Sequence, residues 1–144
     1  MLSCDTNILL YAYNQSAPEH KQSIDFITKN LTNSEFAISE LALMEYYVLL
    51  RNPAVTKAPL SAQQAVSVIK TVRANPNWTV LKGTTDVSDD VWRAASKNDF
   101  PRRAIFDARL AYSLAAQGVK RFATRNVADF QRFGLFEVFD PISS

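Results

Sequence analysis

One cysteine and one histidine leave this chain little room for soft-metal chemistry. A lone Cys4 builds neither a disulfide framework nor a cysteine zinc site. Its apolar surroundings mark it as a buried structural thiol. A lone His20 argues against a histidine zinc centre or a serine–histidine–aspartate hydrolase. With only three glycines, the chain carries no Gly-rich phosphate loop. No stretch approaches the roughly 20 apolar residues of a membrane span. The start, Met1-Leu2-Ser3-Cys4-Asp5, lacks the basic region and long apolar core of a signal peptide. A cytoplasmic protein without membrane association is therefore expected.

What is present is enough for a core. Hydrophobic residues make up 47% of 144 positions, so about two thirds of the unfolded surface can be buried without staples. One domain spanning residues 1–144 is expected, since no repeat, low-complexity tract or linker interrupts the chain. The formal charge is only +2. Its distribution is uneven, because Arg93, Lys97, Arg102, Arg103, Arg109, Lys120, Arg121, Arg125 and Arg132 all lie in the C-terminal part. That bias suits a polyanionic partner, although solvated helix faces give the same pattern.

Apolar spacing alternates short strands with helices. Leu2-Ser3-Cys4 reads as a buried strand ending in a polar turn at Asp5. A helix begins near Ile8 and is broken at Ser16-Ala17-Pro18, and a second runs from Glu19 to about Leu31. Phe36-Ala37-Ile38 is a strand. Ser39 then caps a helix that reaches about Arg51, where Asn52-Pro53 stops it. Ser61-Ala62-Gln63-Gln64 is a capping box opening a helix with Ala65, Val68, Ile69 and Val72 on one face. Trp78 to Leu81 is a third strand, followed by helices over 88–96 and 104–117, the latter closed by Gly118. Phe122-Ala123-Thr124 and Phe136 to Phe139 complete the strands. Such alternation implies a parallel sheet covered on both faces. Ligands in these folds bind beyond the carboxyl ends of the strands, where strand order reverses.

Three acids break the local pattern. Asp5 ends a buried strand, where the rule above puts a ligand. Glu45 is in helical phase with Leu41, Val48 and Leu49, and Asp107 with Leu110, Ala111 and Leu114. Both therefore fall on apolar stripes. A carboxylate on a core-facing stripe costs several kcal/mol unless it is paired or holds a metal. Each acid also has a plain structural account: Asp5 as a helix cap, Glu45 and Asp107 as stripe-edge residues paired to arginines. Glu40, Asp86, Asp89, Asp90 and Asp99 lie at caps or in polar stretches and need no special account. Converging carboxylates suit hard cations such as Mg²⁺ or Mn²⁺. A further polar cluster, Thr124-Arg125-Asn126-Val127-Ala128-Asp129-Phe130, follows the fourth strand. Asn126 can cap a helix there, with Asp129 at its third position.

Asp5-Thr6-Asn7-Ile8-Leu9-Leu10-Tyr11, Ile38-Ser39 with Leu43-Met44-Glu45, Phe106-Asp107-Ala108-Arg109-Leu110-Ala111 and Thr124 to Phe130 together resemble the four motifs of PIN-domain ribonucleases. The resemblance is strongest to toxins of the VapC kind. Leu49 to Val55 also resembles a stretch found in one subgroup of them. The likeness covers nearly the whole chain, with the motifs in the family's order. It implies a three-layer α/β/α sandwich with a central four- or five-stranded parallel sheet. It further implies endoribonuclease action on structured RNA, a homodimer, and a small antitoxin that blocks the site, often with a basic side chain.

By that resemblance Asp5, Glu45 and Asp107 are the catalytic, metal-holding acids. The fourth position departs from the family pattern: many members carry an acid where this chain has Asn126, and Asp129 is the alternative source of charge. Thr6, Asn7, Ser39 and Thr124 are the groups expected to orient the carboxylates. Arg102, Arg103 and Arg125 are candidates for phosphate contact. The expected reaction is attack of a metal-activated water on an RNA phosphodiester, with Mg²⁺ or Mn²⁺ as cofactor. Two other readings share the fold: a PIN nuclease of RNA processing or quality control, and a catalytically impaired module that binds RNA or a protein partner. A receiver-like phosphorelay domain fits poorly. It needs adjacent acids after the first strand and a lysine after the fifth, and the chain has neither.

Overall fold

The computed structural model describes residues 1–82 and 86–142. Every strand has only three residues: β1 (Leu2–Cys4), β2 (Ala37–Ser39), β3 (Thr79–Leu81), β4 (Arg121–Ala123) and β5 (Glu137–Phe139). Between them run α1 (Thr6–Tyr13), α2 (His20–Asn30), α3 (Glu40–Leu50), α4 (Ala62–Arg73), α5 (Ser88–Ala95), α6 (Ala104–Ala116) and α7 (Val127–Gln131). The helices surround a parallel sheet, as the alternation of patterns requires.

Pairing is parallel throughout. β1 pairs β4 and β4 pairs β5, while β2 pairs β3. One bridge, Leu2 to Phe36, and the Leu2 N–H bond to Glu35 O at 2.8 Å stitch the two groups together. The strand sequence across the fold is thus β3-β2-β1-β4-β5. The chain moves outward on one side from β1 and returns to add β4 and β5 on the other. The reversal therefore falls between β1 and β4, whose carboxyl ends carry Asp5 and Thr124.

Local chemistry sets the element ends. Ser61 and Gln64 form the reciprocal capping box of α4. Ser39 Oγ accepts the Leu41 N–H at 3.1 Å and caps α3. α6 ends where Val119 N–H bonds Leu114 O at 3.0 Å and Gly118 N–H bonds Ala115 O at 3.1 Å. That paired pattern needs a left-handed residue, and Gly118 supplies it at φ 97°. Asn126 does occupy the N-cap position of α7, but its side chain makes no capping bond. Its N–H instead donates to Thr124 Oγ1 at 3.0 Å. The side-chain cap expected at Asn126 is therefore not formed, and Asn126 is held by a turn built on Thr124.

The core sits under the sheet ends and the buried faces of α1, α3 and α6. Phe36, Phe122, Phe130, Ile8, Ile38, Leu43, Leu50 and Leu114 are its largest buried side chains. Phe122 lies 4.7 Å from the ring of Phe130 and stacks at 5.3 Å on Phe136. Cys4 is buried at 1%, and burial pushes its thiol well above the usual range. It is a packing residue. Removing the Phe122 ring leaves a cavity against Phe130 and Phe136. Phe122→Ala should cost about 3–5 kcal/mol, read as a lower urea midpoint at unchanged slope.

Candidate active site

Asp5 is the buried centre of the site, only 8% exposed. It follows β1 and caps α1, so both of its oxygens are fixed. Oδ1 accepts the Thr6 N–H at 2.8 Å, and Oδ2 accepts the Thr124 hydroxyl at 2.8 Å. The Asp5 N–H donates to Ala123 O at 2.9 Å, which ties the residue across the β1–β4 junction. The plain account of Asp5 as a helix cap is therefore correct as far as it goes. It does not neutralise the charge. Burial raises the Asp5 pKa; the Thr124 bond opposes that, Glu45 adds to it, and the Thr6 bond opposes it again.

Glu45 reaches this centre through Thr6. The Thr6 hydroxyl lies 3.3 Å from both Glu45 Oε2 and Ala42 O. The expectation that Glu45 occupies a core-facing stripe is wrong, because the side of α3 that packs is Ala42, Leu43, Tyr46 and Leu50. Glu45 is exposed, beside Met44 and Val48 at 61% and 60% exposure. Helical phase places Glu45 with Leu41, Val48 and Leu49 on a face where none of the four is fully buried. The burial argument holds better for Asp107. It is half-buried on α6, one residue from buried Ala108 and in phase with buried Leu110, Ala111 and Leu114.

Electrostatics show that these acids share one space. Asp107 is pushed up to about 6, first by burial and then by Asp5, Glu45 and Asp129 in that order. Among the described residues none of these four acids forms an ion pair. The arginine pairings that would have explained Glu45 and Asp107 structurally are absent from that set. Among the same residues, no three acids, histidines or cysteines stand close enough to close around one ion. The arrangement is an open cleft with one buried carboxylate, Asp5, held at both oxygens, and more exposed ones at its rim. Its donors are all oxygen and carry uncompensated negative charge, which fits a hard divalent cation and not zinc or copper.

The remaining candidates divide. Thr6 and Thr124 touch the acids directly, as described. Ser39 is buried at the cap of α3, and Asn7 is half-buried; neither bonds an acid. Asn126 and Asp129 are both exposed on the far side of Thr124, and only Asp129 is felt at Asp107. Arg125 lies 3.8 Å from Asp140. Arg103 lines the cleft of about 630 Å³ that holds Glu45 and Asp107, and Arg102 does not. Sequence reasoning does not find Arg109 and Phe106, which line the same cleft, or Tyr11. Burial raises the Tyr11 phenol, with Glu19 and Asp5 adding to the effect and Arg125 opposing it. The one available signal is Phe106, an aromatic immediately before Asp107.

Comparison with known proteins agrees with this fold. Residues 3–134 match the family model described as PIN domain. The chain belongs to the PIN-domain family. Within that family it is of the VapC type, being 46% identical over all 144 residues to Ribonuclease VapC24 of Mycobacterium tuberculosis strain H37Rv, 99% of which is covered. The solved structure of M. tuberculosis VapC20, described as a sarcin-ricin loop cleaving toxin, superposes with TM-score 0.71 at 17% identity, covering 96% of this chain and 98% of that one. VapBC2 from Rickettsia felis, solved bound to a promoter DNA fragment, gives 0.66 at 15% identity, covering 96% and 97%. At those identities the two structures speak for the fold.

The raised Asp107 carboxyl carries a stability consequence. An acid raised in the folded state holds its proton more tightly than the unfolded chain does. Its contribution is complete below about pH 4 and is lost as pH rises to about 6. A rise from the ordinary aspartate value of about 4 to about 6 would amount to about 3 kcal/mol, and solvent screening of a half-exposed group cuts this to about 1 kcal/mol. Asp107→Asn should therefore raise the metal-free Tm at pH 7 by about 3 °C and flatten its dependence between about pH 4 and 6. A variant less stable than the parent at pH 7 would contradict the charge repulsion described here.

Proposed function

We propose that the chain is a metal-dependent endoribonuclease and the toxin of a type II toxin–antitoxin pair. The observation that carries this reading is the cluster of unpaired carboxylates at the sheet's switch point, in a chain 46% identical to a named ribonuclease. Asp5, Glu45 and Asp107 are the groups that would hold Mg²⁺ or Mn²⁺. Asp129, or Asn126 through its amide oxygen, would complete the set. Such an ion, when bound, lowers the pKa of a water and offsets charge on the phosphodiester. The protein's own part is positioning. Thr6 and Thr124 hold the Asp5 carboxylate in one orientation, and Thr6 links it to Glu45. Arg103, Arg109 and Arg125 offer the phosphate contacts, of which Arg103 and Arg109 border the cleft itself.

The same reading supplies the partners. An open acidic cleft is closed most simply by a basic side chain from a small antitoxin, and structures of VapBC complexes share this fold. The exposed apolar residues Met44 and Val48 on α3, with Val66 beside them on α4, suit a second copy of the chain. Among the described residues no helix is long and apolar enough to cross a membrane, and RNA as substrate points to the cytoplasm.

Asp5→Asn is the decisive variant. It preserves shape and the bond from Thr6, and it should lower metal-dependent RNA cleavage by at least about 100-fold while the Tm holds or rises. EDTA should abolish cleavage by the parent chain, and Mn²⁺ or Mg²⁺ should restore it. Full cleavage by Asp5→Asn, or in excess EDTA, would remove the proposal. Thr124→Val tests the positioning role. It frees one Asp5 oxygen and should cut the rate roughly 10-fold with little change in KM.

A further inference from the structure

Two of the most exposed large hydrophobic side chains are aromatic. Phe106 is 75% exposed and Trp92 is 65% exposed. They stand on α6 and α5, and both line a cavity of about 510 Å³. Phe106 and Arg109 also line the acid cleft, so the two spaces join beside Asp107. Arg103 borders the acid-cleft side, while Lys82 and Asp86 line the other cavity. Leaving a tryptophan and a phenylalanine in water has no folding rationale, because buried Val91, Ala94 and Ala108 already secure these helices. Aromatic faces next to arginines, opening onto a site for phosphodiester cleavage, are the chemistry that holds unstacked bases.

We propose that this groove is a base-stacking subsite, which takes an unpaired nucleobase of looped or single-stranded RNA against Phe106 and Trp92, with Arg103 and Arg109 on the adjoining phosphates. The inference rests on the ribonuclease reading and deepens it, since it states how the substrate is held. Paired bases are stacked within a helix and present no free face, so the subsite selects loops, bulges and ends. The groove is continuous with the cleft that holds Glu45 and Asp107 through Phe106 and Arg109, and it sets aromatic rings beside arginines, which is why RNA is favoured over a second copy as the occupant.

The test uses the full chain in EDTA, so that binding is read without cleavage. The probes are a uridine hexamer and a hexamer of abasic riboses with the same phosphates. Trp78 is buried at 9% exposure, so quenching of emission by added RNA reports Trp92. The uridine hexamer should quench and the abasic one should not. Read by the anisotropy of a dye-labelled hexamer, Phe106→Ala and Trp92→Ala should each weaken uridine-hexamer binding about 5- to 150-fold and leave abasic binding unchanged. Both side chains are mostly solvated, so the fold survives. Phe106→Tyr should bind like the parent and Phe106→Leu like the alanine variant, which separates stacking from apolar contact.

Equal binding of the two hexamers, or unchanged affinity in both alanine variants, would overturn the inference. So would Phe106→Ala converting a dimer to a monomer in sedimentation with hexamer affinity intact, which would assign the groove to a second copy. Cleavage separates this from the broader reading. If the parent cuts RNA with Mn²⁺ and Phe106→Ala cuts it with the same KM, the subsite alone is wrong. If the parent cuts no RNA yet shows base-dependent quenching, the subsite stands and the nuclease reading falls.

Discussion

The structure turns on negative charge that nothing among its described residues neutralises. Asp5 is held at the carboxyl end of β1 by two short hydrogen bonds, buried, with Glu45, Asp107 and Asp129 close enough to repel it or one another. Hydrogen bonds fix such a carboxylate and soften its cost, but they do not remove the charge. Arg103 and Arg109 border the same cleft, yet among the described residues neither pairs with one of these acids in the way that Arg73 pairs with Glu40 on the surface. Stability is given up at one point, a cost that the proposed cation would offset.

The backbone makes that point possible. Five three-residue strands can supply only a small sheet, yet their order reverses between β1 and β4 and opens a crevice there. Ala123 O accepts from Asp5 N–H, and Thr124 then turns away from the sheet with its hydroxyl on Asp5. One threonine thus completes the strand junction, orients the central acid and starts the loop before α7 through the Asn126 N–H. α3 and α6 bring Glu45 and Asp107 from the two sides. The cleft is assembled from four separate segments of chain, so its geometry depends on the packing of the core that joins them.

Much of this is legible in the chain itself. The strand and helix order, the capping box at Ser61, the stop at Gly118 and the role of Asp5 at a strand end each follow from a local physical rule. The placement of Glu45 does not. Its helical phase matches an apolar stripe, but which stripe of α3 is buried depends on where α1, α4 and β2 pack, and they choose Ala42, Leu43, Tyr46 and Leu50. Asn126 resembles a cap because its type and position fit. Its side chain makes no capping bond, and its own N–H donates to the Thr124 hydroxyl two residues earlier, an arrangement that composition cannot resolve. Phe106 is marked only by its place immediately before Asp107 and Trp92 only by its place on a helix, since exposure is a property of the assembled surface and not of spacing.

The central claim is that these carboxylates form one site whose missing member is a divalent cation. Calorimetric titration with Mn²⁺ at pH 6, in two buffers of different ionisation enthalpy, tests it most directly. A cation that binds must displace the proton Asp107 holds near its pKa of about 6, so binding should release a fraction of a proton at pH 6 and almost none at about pH 8. Affinity should fall at least about tenfold in Glu45→Gln. Absence of binding heat, or binding with no proton release at pH 6 and full affinity in Glu45→Gln, would contradict the account.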